Sequence, residues 1–106
     1  MTDVLNDQQT FEQAIMSSWT GDQKSYVLFS SPTCGPCGMV KRVLEKIEDA
    51  NPTLSVSYVN VFHATAAASD TKIRAVPTLV KFENGQETAR IVGAADEAKL
   101  KAFFGL

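Results

Sequence analysis

Tyr26-Val27-Leu28-Phe29 is an unbroken apolar run with no polar residue to mark a solvent side. A strand that meets water on one face alternates; a strand apolar at successive positions is covered on both. The run therefore predicts the interior of a sheet with helices above and below it. It leads through Ser30-Ser31-Pro32-Thr33 into Cys34-Gly35-Pro36-Cys37. Beyond that, Val40, Val43, Leu44 and Ile47 recur at helical spacing, with Lys41, Arg42, Glu45, Glu48 and Asp49 on the other side. Strand, turn and helix thus bracket the only two cysteines of the chain.

The remaining pattern supplies the other layers. Asp3 to Leu5 reads as a short first strand. Phe11, Ala14, Ile15, Ser18 and Trp19 follow helical spacing, Trp19 falling on the apolar face, and Asn6 with Gln9 forms a capping pair ahead of it. Residues 20–25 read as a loop. Asn51-Pro52 ends the second helix, Leu54 to Val61 reads as a strand, and His63 to Lys72 as a helix. Thr78 to Glu83 and Glu87 to Val92 are strands joined across Asn84-Gly85, a hairpin signal. Asp96 caps a last helix whose Leu100, Phe103 and Phe104 face the core. The order β-α-β-α-β-α-β-β-α gives an α/β chain with a mixed sheet of about five strands and about four flanking helices.

At 106 residues the chain reads as one domain, 1–106, able to bury a core without staples. Its formal net charge of -2, without like-charge blocks, argues against nucleic acid as partner. No apolar run reaches the roughly 18 residues of a membrane helix. The start, Met1 to Asp7, lacks the basic and apolar regions of a secretory signal, so a cytoplasmic location is the expectation. In a reducing compartment a close cysteine pair reads as catalytic or metal-binding rather than structural.

The thiolate is the reactive form of cysteine, and a helix N-terminus favours negative charge. Two cysteines at this spacing can close into a disulfide and reopen. Structural zinc normally takes four Cys or His ligands, and this chain holds two Cys and one His, so no metal is expected. A disulfide with purely structural purpose is disfavoured too, because so short a loop constrains little unfolded-chain entropy.

The element order, with Cys-Gly-Pro-Cys opening the second helix, resembles the thioredoxin family over nearly the whole chain. Val76-Pro77-Thr78 matches the family's cis-proline segment, and Gly93 matches the glycine bordering its substrate groove. The resemblance implies the thioredoxin fold and a protein-disulfide reductase working through a redox-active disulfide of Cys34 and Cys37. Cys34 would be the nucleophile, more exposed than Cys37, the resolving thiol. Thr33, Gly35 and Pro36 would form the active-site loop, Gly35 allowing a tight turn and Pro36 fitting the first helical turn. Val76, Pro77 and Gly93 would bind substrate. Disulfide-containing proteins would be the substrates and a thioredoxin reductase the electron source. No cofactor is implied, and the expected state is a monomer.

The sequence departs from the family at several places. Ser30 and Thr33 stand where two tryptophans are usual. Leu28 stands at the usual buried aspartate, which serves the resolving cysteine as proton acceptor, and Tyr58 at its lysine partner. The substitutions predict a more stable domain, a slower resolving step and a less reducing pair. Arg42 replaces a helix-kinking proline, predicting a straighter second helix, and Gly38 replaces a lysine. Two other readings stand beside the reductase: a binding or scaffold subunit of a larger complex, and a glutaredoxin-like reductant. Met16 and Met39 read as packing residues and His63 as a surface residue.

Overall fold

The computed structural model describes residues 6–19 and 24–106. The expected first strand, Asp3 to Leu5, lies outside them. In chain order the elements are α1 (Asp7–Ser18), β1 (Lys24–Ser30), α2 (Gly35–Ala50), β2 (Val56–Asn60), α3 (Thr65–Asp70), β3 (Thr78–Glu83), β4 (Gln86–Val92) and α4 (Glu97–Phe104). The sheet, among the described residues, has four strands rather than about five, in the order β2-β1-β3-β4. β1 pairs parallel with β2 and antiparallel with β3, and β3 pairs antiparallel with β4. This is the mixed sheet with four helices that the element order implied.

The apolar run behaves as its lack of alternation required. Tyr26 and Leu28 join Val40, Leu44, Ile47 and Leu100 on one face, beneath α2 and α4. Val27 and Phe29, pointing the other way, join Ala14, Ala64, Ala67 and Phe82 beneath α1 and α3. Aromatic edges tighten both layers. Tyr26 meets Phe104 at 4.7 Å between ring centroids, and Phe11 lies 5.8 Å from both Phe29 and Phe82.

Local signals account for the ends of the elements. The Asn6 side chain accepts from the Gln9 N–H and the Gln9 side chain accepts from the Asn6 N–H, a reciprocal capping box. Asp96 Oδ1 accepts from the Lys99 N–H at the start of α4. Asn84 and Gly85 both adopt positive φ, 55° and 76°, the conformation a two-residue hairpin demands. α2 runs unbroken over 16 residues with Arg42 inside it.

Three expectations need correction. α3 covers only Thr65–Asp70, because the flanking residues turn tightly rather than continue the helix. Trp19 is not core: α1 ends at Ser18, and the Trp19 ring lies 62% exposed against the Gly85 backbone. Met16 and Met39, expected to pack inside, are both exposed, on the outer sides of α1 and α2.

Candidate active site

The central strand delivers the cysteines to one end of the sheet. β1 stops at Ser30, a turn follows, and Cys34 becomes the N-cap of α2. Cys34 and Cys37 are joined by a disulfide, with their Cα atoms 5.4 Å apart. Cys34 Sγ also accepts the backbone N–H of Cys37 at 3.3 Å. The sulfur thus takes the place an Asp or Ser oxygen usually holds, on an otherwise unpaired donor of the first turn. When the disulfide opens, that donor and the helix dipole favour a thiolate on Cys34. Cys34 is half-buried, whereas Cys37 is 4% exposed. Cys34 is thus the more accessible of the two.

Two further segments converge here from far along the chain. The Val76–Pro77 peptide is cis, and the Val76 carbonyl oxygen lies 3.5 Å from Cys34 Sγ. Pro77 is buried and Val76 half-buried. The Gly93 N–H donates to the Pro77 carbonyl at 2.7 Å, with Gly93 at φ +87°. That φ favours glycine, even though nothing lies within 4 Å of where a Cβ would stand. Gly35 differs from the sequence expectation. It is the first residue of α2, its φ lies outside the left-handed region, and a Cβ would meet open space. No tight turn demands a glycine there. Pro36 sits in the first helical turn, where its missing N–H leaves no bond unmade. Thr33 is exposed, its Oγ1 3.3 Å from Ser31 Oγ.

Small polar Ser30 and Thr33 flank the turn that leads to Cys34, Ser30 half-buried and Thr33 exposed. Met39, Phe62 and Val92 are exposed apolar side chains. Phe62 follows β2, which runs parallel to β1, so it lies at the same end of the sheet as Cys34. In the sequence it only continues the apolar end of the strand segment after Val61, which gave no signal of its own.

Beside the disulfide, Ser30, Gly38, Lys41 and Asn60 help line an open cleft of about 320 Å³ that reaches both cysteines. Deeper along β2, the Tyr58 hydroxyl donates to Glu48 Oε1 at 2.6 Å, and Lys41 Nζ lies 5.2 Å from the Tyr58 ring centroid. Burial, with the bonded Glu48 carboxylate, pushes the Tyr58 phenol well above its ordinary value. Lys41 and Asn60 were not singled out in the sequence. Lys41 was findable, since it follows Cys37 by four residues on one helix. Asn60 became a neighbour only through the register of β1 with β2. His63 is at the surface as expected, its Nδ1 2.9 Å from Asp7 Oδ2.

Comparison with known proteins gives a consistent answer. The thioredoxin family model matches residues 2–105. The thioredoxin of Malassezia sympodialis is 38% identical over 102 residues, covering 93% of this chain and 91% of that one. Thioredoxin 1 of a Nostoc species is 36% identical, covering 86% of this chain and 83% of its own. The crystal structure of oxidised thioredoxin O2 from Arabidopsis thaliana superposes with a TM-score of 0.80 at 27% identity, covering 95% of this chain and 89% of that chain.

Proposed function

Since the chain belongs to the thioredoxin family and is a thiol–disulfide oxidoreductase acting on protein disulfides, we propose that it works in the reducing direction, with Cys34 as nucleophile and Cys37 as resolving thiol. The observation that carries this reading is the N-cap position of Cys34: a half-exposed sulfur accepting the Cys37 N–H at 3.3 Å.

The Cys34 thiolate attacks one sulfur of a client disulfide. That S–S bond breaks, the leaving thiolate takes a proton, and a mixed disulfide forms. Cys37 then gives up its proton and attacks Cys34 Sγ. The client's second sulfur leaves with the bonding electron pair, and the Cys34–Cys37 disulfide closes. Two electrons pass from the cysteine pair to the client, and a reductase returns two. The client chain lies extended along Val76, pairing with its backbone, with Pro77 and Gly93 forming the groove and Thr33, Gly35 and Pro36 its loop. The protein acts as a monomer in the cytoplasm.

Reduction of insulin with dithiothreitol as donor tests the direction. Acceleration that vanishes in Cys34→Ser supports the reading. In a cell extract, Cys37→Ser should accumulate mixed disulfides on Cys34. No acceleration together with no trapped client sinks the proposal.

A further inference from the structure

The family's aspartate is absent, yet Cys37 must still lose a proton. Leu28, at that position, is buried among Val40, Leu44 and Leu79 and offers no acceptor. The cleft that reaches Cys37 is lined by Ser30, Ser31, Pro32, Gly38, Lys41 and Asn60 besides the two cysteines. Among these described residues no carboxylate occurs, and Lys41 is the single charged side chain.

Lys41 follows Cys37 by one helical turn, so both side chains lie on one face of α2. Its ammonium is drawn toward the sheet by the Tyr58 ring face, at 5.2 Å. The acidic groups Glu45 and Glu48 of α2 lie toward Tyr58 and outside the cleft lining. Glu48 accepts the Tyr58 hydroxyl, and Glu45 lies one turn beyond Lys41 on α2 and acts on Tyr58. From the other side of the sheet, Asp7 accepts the Asn60 N–H and holds the His63 ring. Both glutamates keep their charge, but neither lines the cleft, where Lys41 carries the only charge among the lining residues.

Resting on the dithiol mechanism above, we propose that Lys41 promotes the resolving step by electrostatically favouring the Cys37 thiolate in the open cleft. The Cys37 proton passes to solvent through the cleft. The thiolate so formed attacks Cys34 Sγ, the Cys34–client bond breaks, and the client thiolate departs with the electron pair. A cation thus does by attraction what a carboxylate does by accepting a proton. Because Lys41 is exposed, the effect is modest and screened by salt.

Stopped-flow reaction of the reduced protein with 5,5′-dithiobis(2-nitrobenzoate) separates the two steps. A first thionitrobenzoate is released when Cys34 attacks and a second when Cys37 displaces it. In Lys41→Met the second release should slow about two- to fivefold at neutral pH, its pH midpoint rising by about half a unit. Lys41→Arg should keep both values, and the difference between Lys41→Met and the unaltered protein should shrink at high salt. A second release unmoved in Lys41→Met, slowed equally in Lys41→Arg, or slowed only in proportion to the first overturns the assignment. An unaltered protein that gives no second release overturns the dithiol mechanism with it, an outcome distinct from indifference to Lys41.

Discussion

Leu28 and Tyr58 stand opposite each other in the parallel pairing of β1 with β2, Leu28 only 1% exposed and Tyr58 bonded outward to Glu48. The family places a buried aspartate and its lysine partner at these two positions. Here a leucine fills the space beneath α2, and the polar end of the tyrosine is turned to a carboxylate on the helix. Removing a buried charge pair relieves two desolvation costs that mutual attraction repays poorly. The domain keeps the two sulfurs and gives up the internal carboxylate.

Introducing that carboxylate reverses the exchange at a cost. Leu28→Asp should lower unfolding free energy by about 3 kcal/mol or more at neutral pH, through lost packing and an unpaired buried charge. Burial raises the new carboxyl's folded pKa above its unfolded value near 4. The sign follows: the charge penalty is smallest below that value and grows as pH rises through the folded pKa. Urea unfolding at acid and neutral pH measures it, with Leu28→Asn as the uncharged control. The resolving step should quicken in the same variant. A rise in stability with unchanged turnover would sink the account.

Tyr58 carries the opposite end of the relationship. Its folded pKa lies well above the unfolded value of about 10, through burial first and Glu48 second. Such a group contributes stability that is fully present below pH 10 and is lost as pH climbs beyond it. Tyr58→Phe should cost about 1 kcal/mol near neutrality through the lost bond to Glu48. It should also flatten the alkaline fall in stability. The Tyr26 phenol, raised by its own burial, keeps part of that fall in place. Thermal unfolding of both proteins from neutral to strongly alkaline pH is the check; identical alkaline limbs would contradict it.

What the sequence made legible was whatever local chemistry decides. Tyr26 to Phe29, lacking alternation, called for cover on both faces and has it. Asn6 with Gln9, Asp96, and Asn84-Gly85 each act within a few residues, so their caps and turn could be read directly. The meetings of Cys34 with Val76 and of Gly93 with Pro77 are long-range; they were reached through resemblance, since no spacing rule joins residues that far apart. Lys41 shows the limit of periodicity. Its helical phase marks a solvent side, but the Tyr58 ring from β2 decides where the ammonium goes. Trp19 failed for a related reason: helical spacing placed it on the apolar stripe, but α1 stops one residue earlier.

Gly93 tests the groove at its other wall. Its φ of +87° strains any residue with a Cβ, whereas the space around it is open. Gly93→Ala should therefore destabilise by about 1–2 kcal/mol from backbone strain alone. If the Gly93–Pro77 contact also shapes the client groove, insulin reduction should weaken through a higher KM while the Cys34 phase with a small disulfide stays unchanged. Loss of stability with KM untouched would reduce Gly93 to the end of β4.

Trp19 is the only tryptophan, and it sits at the far end of the sheet from the cysteines. The end of α1 is tied to the β3–β4 turn there. The Ser18 backbone carbonyl accepts the Asn84 N–H and Ser18 Oγ the Gly85 N–H, each at 2.8 Å, while Oγ donates to the Ile15 carbonyl at 2.6 Å. The Trp19 ring lies so close over Gly85 that a Cβ there would stand 2.1 Å from it. β1 runs from this end, where Lys24 pairs with Glu83, to Ser30 near the disulfide. Seven residues of strand at about 3.3 Å each separate the two ends. Opening the disulfide therefore should leave Trp19 emission unchanged, although aromatic residues beside a disulfide normally respond to it. Ser18→Ala should change that emission and cost about 1 kcal/mol, because the half-buried Gly85 N–H loses its acceptor. Fluorescence of oxidised and reduced protein, with urea unfolding of Ser18→Ala, measures both. A large redox response of Trp19 would mean that opening the disulfide alters the sheet along its whole length.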